Sequence, residues 1–204
     1  CKGAAHEERA AHGTRHPSLV YSEIEFESFM NLMYLVVEGA QLPPGGIFVD
    51  LGCGSGRAVF AAALAHDFTK CMGVEILGNL HAMCMELSAI WADDIWYELD
   101  GKKKETEIGF LHGDIRYTDW MDGTVIFCNW TTFDKGLMDE LLILLEELPQ
   151  DSIVITTTRE LKHEEFTLLG QSSLVHTWGK SSVFISKKYS TTAIADVSVD
   201  DLLA

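Results

Sequence analysis

The stretch Phe48-Val49-Asp50-Leu51-Gly52-Cys53-Gly54-Ser55-Gly56 is an apolar run that ends in an acid and breaks into alternating glycines. Just after it, Ala58-Val59-Phe60-Ala61-Ala62-Ala63-Leu64 reads as a helix. A strand, a glycine turn and a helix form the first half of a βαβ unit that holds a nucleotide-like ligand. Glycines let the backbone approach such a ligand closely and adopt positive φ. The chain therefore reads as a cofactor-dependent enzyme, and the question becomes which cofactor.

The rest of the chain organises itself around that turn. Before it, Phe26, Phe29, Met30, Met33, Tyr34 and Val37 recur at helical spacing between Glu25 and Gly39. Pro43-Pro44-Gly45-Gly46 stops that pattern ahead of a short buried strand, Ile47 to Leu51. After the turn a helix runs to about His66, and Cys71-Met72-Gly73-Val74-Glu75 is a second strand that also ends in an acid. A long helical pattern spans Asn79 to Tyr97, with Leu80, Met83, Leu87, Ile90 and Trp91 on its apolar stripe, until Gly101-Lys102-Lys103-Lys104 breaks it. Further strands are predicted at Ile108–His112, Thr124–Cys128 and Ser152–Thr156, with a helix over Leu137–Leu148. Ser173–Thr177 and Ser182–Lys187 read as two strands joined through Trp178-Gly179-Lys180. The pattern predicts an α/β fold with a mostly parallel sheet and an antiparallel C-terminal edge.

The chain has 204 residues, enough for one domain with a real core. Its hydrophobic content of 47% is that of a folded globular protein, and no apolar run reaches the roughly 18 residues that cross a membrane. The first residue is Cys1 rather than Met, so the chain reads as a piece of a longer one. Residues 1–20 are expected to form a weakly patterned N-terminal arm, 21–190 the domain, and 191–204 an acidic tail. The five cysteines are scattered and never paired as C-x-x-C, which favours reduced, buried thiols over a disulfide frame or zinc site. A net charge of −16 argues against strong intrinsic binding to nucleic acid or anionic lipid. That charge suits a basic protein substrate, or serves solubility alone.

The cofactor is narrowed by spacing. No G-x-x-x-x-G-K-[ST] phosphate loop is present, and Gly52-x-Gly54-x-Gly56 departs from the dinucleotide G-x-G-x-x-G. Glu75 lies where a ribose-binding acid stands, at the end of strand two; NAD and S-adenosylmethionine both carry such a ribose. Asp50, at the first strand tip, can accept from a methionine ammonium and offset sulfonium charge. The turn Asp50–Gly56 resembles the first motif of class I methyltransferases. Gly113-Asp114 follows strand three, where that family places an acid against the adenine amino group.

A finer resemblance covers roughly residues 20–188. Val20-Tyr21-Ser22-Glu23-Ile24-Glu25-Phe26 is similar to the Tyr-Gly-Glu-Thr-x-Phe loop of the Dot1 family, histone lysine methyltransferases built on the class I fold. Phe48–Gly54 resembles that family's Phe-Val-Asp-Leu-Gly-Ser-Gly, and Gly73-Val74-Glu75 is identical to its Gly-Val-Glu. Gly113-Asp114-Ile115 stands against Gly-Asp-Phe, and Val125-Ile126-Phe127-Cys128-Asn129-Trp130 against Val-Ile-Phe-Val-Asn-Asn-Phe. Trp178-Gly179-Lys180 is similar to its Trp-Thr-Gly-Lys turn. Ser22, Ile24 and Trp130 depart from the pattern, and Val183 and Phe184 stand near the family's paired tyrosines.

The resemblance implies a Rossmann-like fold, a seven-stranded sheet with a C-terminal antiparallel hairpin and helices on both faces. It implies S-adenosylmethionine as cofactor, S-adenosylhomocysteine as product, and a histone, nucleosome or other basic protein as partner. A nuclear location follows, with a reducing cytoplasm as the alternative. Tyr21, Glu23, Asp50, Gly52, Gly54, Gly56, Glu75, Asp114, Ile115 and Asn129 are the implied cofactor residues, with Asn129 and Tyr21 at the reaction centre. Trp130, Phe133 and Phe184 are candidate walls of a lysine channel, or ordinary core residues. A lysine in water has a pKa of about 10.4, and an apolar channel favours its neutral, nucleophilic form. No dedicated base is therefore expected. A small-molecule methyltransferase, an NAD enzyme and a noncatalytic S-adenosylmethionine-binding module remain the competing readings. His163 with Glu160, Glu164 and Glu165 reads as a solvated loop rather than a metal site, and Lys102–Lys104 as a solvated turn.

Overall fold

Both faces of the central strands are apolar, so both must be covered. The computed structural model describes residues 23–189. Its strands are β1 (Ile47–Leu51), β2 (Lys70–Glu75), β3 (Glu107–His112), β4 (Val125–Cys128), β5 (Ile153–Thr157), β6 (Phe166–His176) and β7 (Gly179–Lys188). They form one seven-stranded sheet in the order β3-β2-β1-β4-β5-β7-β6. The first five are parallel, and β7 runs antiparallel between β5 and β6. The order reverses between β1 and β4, the place where open α/β sheets leave a crevice for ligands. The expected fold class is therefore the observed one.

The two-residue period sorts the core into two layers. Phe48, Val125, Phe127, Ile153 and Ile155 face helices α1 (Phe26–Gly39) and α2 (Arg57–Ala65). Val49, Leu51, Ile126, Cys128 and Val154 face α4 (Lys135–Leu145), with Trp120 fully buried among them. The side chain of Asp134 caps α4 by accepting from the Leu137 N–H at 2.9 Å. Among the described residues no helix is long and apolar enough to cross a membrane.

Several expectations are corrected. The buried stripe of α1 is Phe29, Leu32, Met33 and Val36, while Phe26 and Tyr34 are 39% and 50% exposed. The long helix stays regular only over α3 (Gly78–Ile90), then widens to a π turn at Trp91–Ile95 and tightens at Trp96–Glu98. At the π turn Trp91 packs on Phe60 at a ring separation of 5.2 Å. Leu87 and Ile90 are exposed. Strand β6 begins at Phe166, well before Ser173, as an edge strand held along its length by β7. The described cysteines, Cys53, Cys71, Cys84 and Cys128, are free and buried. The expected arm at 1–20 and tail at 191–204 lie outside the described residues.

Lys188 locks the far end of the fold. Its buried ammonium donates to the carbonyls of Glu146 and Leu148, just past the C-terminus of α4, and lies 3.4 Å from the Glu165 carboxylate. Cations at helix C-termini satisfy orphan carbonyls and complement the dipole. Lys188→Ala is expected to cost about 3 kcal/mol of stability by stranding those acceptors; urea unfolding checks this, and an unchanged midpoint would contradict it.

Candidate functional site

The turn between β1 and α2 is held in a conformation that side chains resist. Gly52, Gly54 and Gly56 have φ of 81°, 59° and 79°. Outside glycine such values are uncommon, which accounts for the alternating pattern. The Gly52 and Cys53 N–H groups both donate to the Val74 carbonyl, at 2.9 and 3.0 Å. From beneath, the Cys84 thiol donates to the Gly54 carbonyl at 3.1 Å. A Cβ at Gly56 would lie 2.7 Å from the Phe110 ring, and one at Gly73 would lie 2.5 Å from the Cys53 sulfur. Gly73 is thus a packing requirement for the turn.

Two acids stand at adjacent strand tips, Asp50 3% and Glu75 5% exposed. One Glu75 oxygen accepts from the Gly54 N–H and the other from the Leu77 N–H, both at 2.8 Å. Its carboxylate ties the glycine turn to the residue leading into α3. Burial pushes the Asp50 carboxyl well above the usual carboxylate range, and the Glu75 charge adds to the shift. Left-handed glycines, a carboxylate already organised by backbone amides and a second buried acid fit a ligand that carries ribose hydroxyls and positive charge.

Asn129 follows the tip of β4, and its side-chain oxygen accepts from the Thr157 hydroxyl at 2.7 Å. Phe133 overlies the glycine turn, 3.6 Å from where a Cβ at Gly52 would stand. Trp130 is buried in the α4-side layer with Phe133. Phe184 sits in β7 opposite Thr156, one residue from the Asn129 contact.

The lead-in segment is clamped to this site. Glu23 pairs with Arg57 at 3.3 Å, and Arg57 also reaches the Ile24 carbonyl at 3.4 Å. Ile24 bridges His176 at the tip of β6, and the Glu25 N–H donates to the Val175 carbonyl at 3.0 Å. Tyr21 lies outside the described residues. At the third strand's end, Arg116 grips Asp114 through two guanidinium nitrogens, at 2.6 and 3.0 Å, holding that carboxyl below its usual range. Ile115 is buried in the α4-side layer. Sequence reasoning missed Arg57, Arg116 and Thr157; only the position of Arg57, directly after the last glycine, hinted at a role.

The weaker candidates have structural partners. His163 lies 3.0 Å from Glu146, and Glu165 pairs with Lys188. Lys103 pairs with Asp67, and Lys104 stands over the Trp96 ring. Among the described residues no group of three or more His, Cys, Asp or Glu is placed to hold a metal ion.

Comparison with known proteins bears on this arrangement. The family described as "Histone methylation protein DOT1" matches residues 8–189. A histone-lysine N-methyltransferase of Eremothecium gossypii, named as H3 lysine-79 specific, is 32% identical over 87 residues, covering 35% of this chain and 15% of its own length. The Caenorhabditis elegans protein of the same name is 25% identical over 152 residues, covering 73% of this chain and 16% of its own. The chain thus spans under a fifth of these relatives. Among solved structures, magnesium protoporphyrin IX methyltransferase from Synechocystis with bound S-adenosylhomocysteine superposes with a TM-score of 0.60 at 11% identity, covering 80% of this chain and 82% of that one. The [4+2]-cyclase SpnF gives a TM-score of 0.57 at 11% identity, covering 78% of this chain and 80% of its own. Such likeness bears on the fold alone, which hosts more than one chemistry.

The buried Asp50 makes a pH-dependent prediction. Because its folded pKa is raised above an unfolded value of about 3.9, the ligand-free protein loses stability as pH rises through the folded pKa. Asp50→Asn removes that loss. The variant is expected to melt higher than wild type at neutral pH, with the gap shrinking toward about pH 4; parallel melting curves across pH would contradict this.

Proposed function

The chain belongs to the DOT1 family of histone methylation proteins, and on that premise we propose that it is an S-adenosylmethionine-dependent protein lysine methyltransferase acting on a histone. The observation that carries the reading is the pair of buried carboxylates, Asp50 and Glu75, above a glycine turn with left-handed backbone. The names of the curated relatives support a lysine of histone H3 as acceptor, and with it a nuclear location. The net charge of −16 suits a basic protein and leaves any DNA contact to regions or partners outside this domain.

When bound, S-adenosylmethionine would supply a sulfonium methyl group that a neutral amine takes by in-line attack on its carbon, with the thioether S-adenosylhomocysteine as leaving group. Glu75 would hold the ribose hydroxyls with the lone pairs left by Gly54 and Leu77. Asp50 would offset the positive charge, and a cationic ligand would in turn favour its ionised form. Asp114, already fixed by Arg116, would face the adenine amino group, with Ile115 behind it. Glu23, held by Arg57, and Tyr21 would close the lead-in side. Asn129 would stand at the floor of the acceptor channel, with Phe133 and Phe184 as walls and Trp130 packed behind. Apolar walls desolvate the acceptor amine and favour its neutral form, so positioning and desolvation carry the step.

Calorimetric titration tests the cofactor. S-Adenosylmethionine and S-adenosylhomocysteine are expected to bind with micromolar affinity and NAD not at all; binding of NAD alone would point to a dehydrogenase. Asp50→Ala and Glu75→Ala should each abolish that binding while unfolding stays cooperative. Asn129→Ala is expected to lower turnover on histone H3 or nucleosomes by about 100-fold, with cofactor affinity changed by less than about threefold. Equal losses in turnover and affinity would remove Asn129 from the reaction centre.

A further inference from the structure

Beyond β5 the chain adopts a conformation that apolar packing does not require. Thr156 and Thr157 are fully buried, and Thr158 has a φ of 68°, a left-handed backbone that is a genuine outlier for a β-branched residue. Such strain persists only where surrounding bonds over-determine it, and it clusters at functional sites. Here the Thr158 N–H donates to the Ser182 carbonyl at 2.8 Å, the Arg159 N–H to the Thr157 carbonyl at 2.7 Å, and the Thr156 hydroxyl to the Arg159 carbonyl at 2.8 Å.

The strained turn sets three hydroxyls in line. Thr158 Oγ1 lies 2.8 Å from Thr131 Oγ1, which lies 3.2 Å from Thr157 Oγ1, and Thr157 donates to Asn129 Oδ1 at 2.7 Å. Each hydroxyl owns one proton. With the Thr157 proton given to Asn129, the consistent pattern is Thr158 donating to Thr131, Thr131 to Thr157 and Thr157 to Asn129. A chain donating in one direction polarises each member. In the structure the amide oxygen is the edge that faces the Thr157 hydroxyl, which leaves the N–H2 edge on the other side.

We propose that Thr157, backed by Thr131 and Thr158, is a positioning residue: it holds the Asn129 amide with its oxygen turned into the protein and its N–H2 edge free to donate to the reactants. This rests on the reading of Asn129 as facing the reaction centre. Hydroxyls bind nothing here themselves; their role is to keep Asn129 from rotating and from presenting an acceptor where a donor is needed. A threonine at this position is therefore replaceable by serine but not by valine.

The test compares Thr157→Val and Thr157→Ser, in wild-type and Asn129→Ala backgrounds, with the full 204-residue chain. The Asn129 side-chain amide resonances, assigned by their loss in Asn129→Ala, are expected to move in Thr157→Val and to stay in Thr157→Ser. With S-adenosylmethionine and histone H3, Thr157→Val should lower kcat about tenfold or more, with cofactor Kd and KM within about twofold, while Thr157→Ser stays within about threefold of wild type. Adding Thr157→Val to Asn129→Ala should cost nothing further. Should Thr157→Val fail to fold, Thr131→Val breaks the chain one link back and is expected to move the same resonances. Unmoved resonances, equal losses for valine and serine, or a further tenfold loss without Asn129 would each overturn the proposal. Moved resonances in a chain that binds S-adenosylmethionine but methylates no histone would support the positioning role and count against the histone reading alone.

Discussion

A carboxylate withdrawn from water must be met by donors, and the architecture around Glu75 follows from that demand. Its two oxygens take the Gly54 and Leu77 N–H groups, so one side chain joins the glycine turn to the residue leading into α3. The turn presents the Gly54 amide with left-handed backbone at Gly52, Gly54 and Gly56. Closing the space beneath it brings Phe110 against Gly56 and Cys53 against Gly73, where any side chain would collide. Asp50 receives no comparable set of donors among the described residues, and burial leaves its pKa raised. One acid is organised in advance and the other waits for a counter-charge, a division that suits a cofactor with a polar sugar at one end and a cation at the other.

The same strands change character toward their C-terminal ends. Phe48, Phe127 and Ile155 belong to the α1–α2 layer, and the two-residue period carries Asp50, Asn129 and Thr157 onto that same face. Apolar side chains fill the layer below, and polar ones crown it where the sheet order reverses. The Asn129–Thr157 bond thus joins the tips of two parallel neighbours, β4 and β5, above a packed core. On the opposite face Trp130 and Phe133 continue the α4 layer, which gives the floor of the site a rigid backing.

What could be read in the linear chain was whatever repeats or breaks locally. The apolar strands, the glycine spacing and the strand-end acids carry their meaning within a few residues, and they located β1, β2, β4 and the turn. Thr157 was not legible because threonine is an ordinary strand residue and its partner lies 28 positions away. Nothing in the linear chain marked Arg116 and Arg57 as the partners of Asp114 and Glu23. The first half of β6 was missed because an edge strand needs little apolar pattern when β7 supplies its hydrogen bonds. The π turn at Trp91 was invisible in the helical spacing, and the ring that Trp91 packs on, Phe60, belongs to another helix. Local pattern located the glycine turn, whereas the groups that orient side chains around it arise from tertiary contact.

The lead-in segment gives the molecule a definite order of completion. Ile24 pairs with His176, Thr177 donates to Glu23, and Ser28 accepts from Val175, so one of the earliest described stretches is finished by one of the latest. On the ribosome, Glu23 and Arg57 emerge early, but the hairpin that pins their segment does not exist until the chain has passed His176. Closing so long a loop is among the slow steps of folding. A nascent chain can fold its glycine turn and parallel strands while the site still lacks a wall, and the pocket becomes whole only once β6 and β7 have been made.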